Sequence, residues 1–249
     1  MESADLAALA LAAFATSVLT AVVGLGGGVI LLSVMLLYWD PMVAIPLHGA
    51  VQLVSNASRT AIQRRHVRWA IVSRYAVLLA PAGLLGLAVA RQVPVAWAKA
   101  AIGVFVLVAV WAPRALLLGL HPERIHPTRR FFWLGGAVGF LNTTVGATGP
   151  FQAPFYTGLG LSRHGVVGTF AAAQALGHVV KIALFLAAGF AFAPFAAPVA
   201  LLAGCVLAGT WAGSRLLDRV DERTFGALYR GVLTLVALRL AVWEPLFPG

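Results

Sequence analysis

Gln52, Asn56 and Arg59 fall at positions i, i+4 and i+7, and Gln174, His178 and Lys181 repeat that spacing after an offset of 122 residues (174 − 52). Residues at such intervals share one face of a helix. An amide, a second amide or an imidazole, and a cation on one face form a donor set suited to a small anion. Both glutamines sit near the middle of long apolar stretches, where a polar side chain is costly unless it faces a partner or a cavity. Arg59 and Lys181 lie about 10 Å further along, at roughly 1.5 Å per residue. Helical side chains lean toward the helix N-terminus. Each cation is therefore expected to reach back toward the centre of its segment.

Other chemistry is poorly supplied. All eight acidic residues (Glu2, Asp5, Asp40, Glu123, Asp218, Asp221, Glu222, Glu244) fall at segment ends or in connections, so no carboxylate relay is expected inside the apolar stretches. The single cysteine, Cys205, offers neither a disulfide nor a thiolate cluster. His121 and His126 form a loop pair without the geometry of a zinc site. No nucleophile–base set is apparent, so no catalytic residue, metal or cofactor is expected, and an enzyme is the least favoured class. A coupling proton would find its best titratable group in His178 and its second in His48, since imidazole titrates near pH ~6.5. Sodium held by backbone carbonyls and hydroxyls, or uniport of the anion, stays open.

The segments that must position these residues are membrane helices. The 249-residue chain is 61% hydrophobic and 10% charged, against roughly 25% charged in a soluble domain. Crossing the hydrocarbon takes about 20 apolar residues, and open strands cannot satisfy their backbone groups in lipid. Charge-poor stretches run over 6–38, 41–63, 70–90, 95–111, 131–161, 164–188, 194–213 and 224–246. The opening Met1–Asp5 carries no basic residue, so the first stretch is expected to be a mature segment rather than a signal peptide.

Basic residues set the direction. With the connections 63–74, 112–130, 162–163 and 214–223 in the cytoplasm, twelve arginines lie inside, while only Arg91 and Lys99 remain outside. That bias accounts for most of the net charge of +10, so a nucleic-acid partner is not expected. Trp39, Trp69, Trp97, Trp111, Trp133 and Trp243 sit near the segment ends, as an interfacial belt requires.

The same orientation makes 6–39 begin and end on the outside. As one helix this stretch would run about 51 Å, against a hydrocarbon core of about 30 Å. A re-entrant hairpin broken at Gly24–Gly28 resolves the length, and 131–161 is expected to form its counterpart from the cytoplasmic side, broken at Val145–Pro150. The offset of 122 superimposes both breaks and both polar faces. The expected fold is thus an all-α integral membrane protein of two inverted repeats, 1–120 and 121–249, each a hairpin plus three transmembrane helices, with both termini outside. Inverted repeats with broken helices are how many secondary transporters build a midplane site. Gly26, Gly27, Thr148 and Gly149 at the breaks are expected to present backbone N–H groups to the anion, with Asn142, Thr143 and Thr144 adding hydrogen-bond capacity.

Gly24-Leu25-Gly26-Gly27-Gly28, followed by His48-Gly49-Ala50-Val51-Gln52-Leu53-Val54-Ser55-Asn56-Ala57-Ser58-Arg59, resembles the TauE/SafE family of sulfite and organosulfonate exporters. Thr148-Gly149-Pro150-Phe151, Pro154 and Arg163 through Thr169 to His178 and Lys181 resemble it in the second half. The family often places a proline soon after the first glycine cluster; Pro154 keeps it, whereas the matching position is Leu32. The resemblance implies a multi-pass protein of the bacterial inner membrane that exports a small sulfur-containing anion. An anion channel, or a transporter of a small carboxylate or other inorganic anion, are the alternatives, and a homodimer is possible.

Overall fold

The computed structural model describes residues 3–23, 27–156, 158–216, 230–231 and 234–243, and all regular structure among them is helical. The helices are α1 (Ser3–Val23), α2 (Gly27–Met35), α3 (Pro41–Ile62), α4 (Trp69–Ala90), α5 (Val95–Trp111), α6 (Pro127–Thr144), α7 (Gly149–Gln152), α8 (Arg163–Ala187) and α9 (Ala196–Leu216). A further helical segment occupies 234–243. The break expected at Gly24–Gly28 falls on residues 24–26, which lie outside the described residues, as does most of the stretch 217–233; on either side of 24–26, α1 and α2 pack against each other.

Three stretches are long and apolar enough to cross a bilayer: α4, α8 and Ala193–Gly213. With the shorter apolar helices, α5 among them, this is the make-up of a multi-pass membrane protein. Trp69, Trp97, Trp111 and Trp133 are all well exposed near helix ends, where an interfacial ring is stable between water and hydrocarbon.

Neighbours are few and specific. α4 lies along α6, α1 along α9 and α3 along α8, while α8 also touches α4 and α9 also touches α3. Small residues permit the closest approaches, as is usual where lipid removes the hydrophobic drive between helices. A methyl group added at Gly135 or Gly139 of α6 would run into the carbonyls of Tyr75 or Leu79 on α4. α5 meets the C-terminal segment, where Trp111 Nε1 donates to Thr234 Oγ1 at 2.9 Å.

The α3–α8 pair is antiparallel. A methyl at Gly49 would stand 2.7 Å from Lys181 Cε, and one at Gly168 would stand 2.8 Å from Gln63 Cβ. Moving from 49 to 63 along α3 thus takes the neighbour from 181 back to 168 along α8. That register sets Gln52 level with His178 and Asn56 level with Gln174. Beyond the end of the pair where α3 finishes, the backbone N–H of Arg68 donates to Thr169 Oγ1 at 3.0 Å. Two apolar clusters flank this central pair, one built on Leu31, Leu36 and Leu47 and the other on Tyr75, Leu79, Phe131 and Leu134.

Candidate anion site

Where the two polar faces meet, the helices leave a cavity of about 40 Å³. A water molecule needs roughly 10–15 Å³ by this measure, so the space suits one compact anion or a few waters. Its wall brings together most of the residues singled out from the sequence: Gln52, Asn56 and Arg59 of α3, Gln174 and His178 of α8, His48, and Thr148 and Gly149 at the second break. Among the described residues, no aspartate or glutamate lines it.

The helices orient each group. Arg59 leans back along its own helix, with its guanidinium donating to Asn56 Oδ1 at 3.0 Å and to Ser55 Oγ at 3.5 Å. Its Nε is buried without a partner among the described residues. Asn56 donates in turn to Gln52 O at 3.0 Å, so the face is braced within one helix. His48 Nε2 donates to Gly28 O at 2.8 Å, joining the first turns of α2 to α3. The His48 and His178 rings meet edge to face with centroids 5.9 Å apart, and each leaves Nδ1 without a partner among the described residues.

The two glutamines occupy corresponding places. A methyl at Gly28 would come within 3.2 Å of Gln52 Nε2, and one at Gly149 within 3.5 Å of Gln174 Nε2. Each amide therefore lies against the backbone that follows a break, and a larger residue than glycine there would intrude on it. Thr148 accepts from Gln152 Nε2 at 2.8 Å, which leaves its own hydroxyl proton free to point elsewhere.

Lys181 is placed differently from expectation. It is buried at 1% exposure but does not line the cavity. Its ammonium donates to the carbonyl of Gly146 at 2.9 Å, and its stem runs over Gly49. Gly146 adopts φ +86°, a left-handed conformation that glycine takes without the Cβ penalty, and this turns its carbonyl toward α8. The lysine has thus found an acceptor at the break before reaching the centre. Gly26 lies outside the described residues, and Gly27 opens α2. The residue that comes up to the cavity from this side is Gly28.

Asn142, Thr143 and Thr144 also depart from expectation. Asn142 Nδ2 donates to Gly177 O at 2.9 Å, Thr143 Oγ1 to Gly83 O at 3.0 Å and Thr144 Oγ1 to Phe140 O at 3.0 Å. They tie helices together or cap their own turn. The return leg of the second break is short, a single turn of α7 followed by a tighter turn over Ala153–Tyr156. Thr20, Val29, Ala147 and Phe170 complete the wall. Thr20 stands 122 residues before Asn142, so the repeat offset alone could have flagged it.

The sulfite exporter TauE/SafE family model matches residues 9–240, nearly the whole described chain. The chain belongs to the TauE/SafE family. Among curated proteins and among solved structures, none matches it. As a TauE/SafE member it is a membrane transporter of the sulfite and organosulfonate type, and the cavity between α3 and α8 is where polar side chains of both helices converge.

Proposed function

We propose that this protein is a secondary active transporter that binds a small anion, of the sulfite or organosulfonate class, in the α3–α8 cavity and exports it across the inner membrane by alternating access. One observation carries the reading: a guanidinium, three amides and two imidazoles from both helices share a buried cavity to which no described residue brings a carboxylate. A cation buried in low dielectric is costly without a counter-charge, and an anion in the cavity supplies it. Arg59, Gln52, Asn56, Gln174, His178, His48, Thr148 and Gly149 form the binding wall. Lys181 acts behind it by holding the carbonyl of Gly146 and with it the hairpin break.

Two inverted repeats, 1–120 and 121–249, account for the helix contacts. Exchanging α1 with α6, α3 with α8 and α4 with α9 turns the α1–α9 contact into α6–α4, and the α4–α8 contact into α9–α3. The α3–α8 contact maps onto itself. Because those two helices are antiparallel, the relating axis lies across them, in the membrane plane, and Gln52 and Gln174 straddle it. Such an arrangement allows one half to rock against the other about a fixed central site. With the arginine-rich connections inside, both termini fall on the periplasmic side.

Counterflow in proteoliposomes tests this. Vesicles loaded with sulfite should accumulate labelled sulfite from outside against its gradient, and sulfate, sulfoacetate, taurine and small carboxylates offered in turn define the class. A conductance that grows linearly with concentration and gives no counterflow would instead mark an anion channel. Imposed proton and sodium gradients identify the driving ion; a proton would be carried at His178 or His48.

A further inference from the structure

A second cavity, of about 260 Å³, lies at the opposite end of α3 from the arginine-rich turn. Its walls come from four helices: the first turn of α3 (Pro41, Ile45), the end of α4 (Val89), the first turns of α5 (Ala98, Ala101) and the end of α6 (Val145). Its one hydroxyl, on Thr144, is already committed to the carbonyls of Phe140 and Leu141 within α6. No wall residue presents a buried polar atom in need of a partner. A cavity with no polar demand takes hydrocarbon, and this one exceeds the roughly 150 Å³ apolar void that accommodates benzene. It extends along α5 from Val95 to Ala101, about 9 Å at 1.5 Å per residue. That is over half of one leaflet, taking the hydrocarbon core as about 30 Å.

The charge pattern completes the site. Only two basic residues were left on this side of the membrane by the sequence, Arg91 and Lys99. Both are set into the cavity's own wall segments: Arg91 follows Ala90 and precedes Val93, and Lys99 stands between Ala98 and Ala101. Arg91 is exposed and caps the end of α4, at the level where the chain leaves the hydrocarbon. An apolar slot whose wall residues Ala90 and Val93 flank an exposed arginine fits one molecule well: a phospholipid with its acyl chain in the slot and its phosphate at the guanidinium.

We propose that this cavity is a binding site for one anionic phospholipid, which supports the second hairpin break from behind. Val145 forms part of the slot and is followed at once by Gly146, whose carbonyl holds Lys181. An acyl chain against Val145 keeps that break from collapsing into the slot. The inference does not depend on which anion the central cavity takes.

Native mass spectrometry of the detergent-purified, delipidated chain tests it, after incubation with equimolar phosphatidylglycerol and phosphatidylcholine. The wild type should retain one phosphatidylglycerol in preference. Arg91→Gln should keep chain binding but lose about fivefold of the headgroup preference, the effect of one basic residue near a lipid surface. Ala98→Trp, which fills the slot from the lipid-exposed side, should lose the bound lipid of either headgroup. Sulfite binding measured on the same preparations reports separately on the central cavity and on folding. Equal lipid retention by wild type and Ala98→Trp, or a wild type indifferent to headgroup, would overturn the proposal.

Discussion

Arg59 and Lys181 look equivalent in the sequence but are placed differently in the structure, one in the cavity wall and one bonded to Gly146. On the proposed function, their removal should therefore separate binding from stability. All the hydrogen bonds of Arg59 stay within α3, to Ser55 and Asn56. Arg59→Gln therefore breaks no tie between helices, while it removes the only cation that the described residues bring to the cavity wall. A hydrogen bond to a charged group contributes about 1.5–3 kcal/mol, so sulfite should bind about 10- to 150-fold more weakly. The melting temperature should hold. Lys181→Met does the reverse: it removes the bond from α8 to Gly146 and leaves that carbonyl in apolar surroundings, at a cost of about 1–3 kcal/mol. At roughly 2–4 °C per kcal/mol for a chain of this size, melting should fall by about 2–12 °C. Isothermal titration with sulfite and thermal unfolding, on the same monodisperse preparations, give both numbers. An Arg59→Gln variant that binds sulfite within about twofold of wild type would refute the assignment of the cavity. So would a Lys181→Met variant that melts normally yet has lost the larger share of its affinity.

Three further outcomes follow from single contacts. Gly139→Ala should lower the melting temperature through overpacking of about 1–3 kcal/mol, because its new methyl group meets the α4 backbone at Leu79, which cannot retreat as a side chain could. Thr169→Val removes the hydroxyl that receives the Arg68 N–H across the α3–α8 end; unfolding should register a loss of about 1 kcal/mol with sulfite affinity unchanged. Gly149→Val places bulk beside the Gln174 amide, so counterflow should drop sharply, while Gly204→Val, where an added methyl group meets nothing within 4 Å, leaves it unchanged.

The amino-acid sequence by itself determined a good deal. Its hydropathy required membrane helices, its arginines set the direction expected of them, and the second glycine-rich break marked where α6 ends and α7 begins. The spacing of Gln52, Asn56 and Arg59, and of Gln174, His178 and Lys181, determined which side chains share a face, because the geometry of a single helix is set by backbone hydrogen bonding alone. What lies opposite that face is another matter. Only the tertiary structure decided that Gly146 turns its carbonyl to Lys181 and withdraws that cation from the cavity, while Arg59 meets no such acceptor and stays. It also decided that Asn142 and Thr143 spend hydrogen bonds on neighbouring helices and Thr144 on its own, and that Thr20, Gly28 and Phe170 complete the wall. A long side chain takes the nearest partner its surroundings offer, and partners come from segments distant in the chain, so periodicity can name the candidates but three-dimensional packing chooses among them.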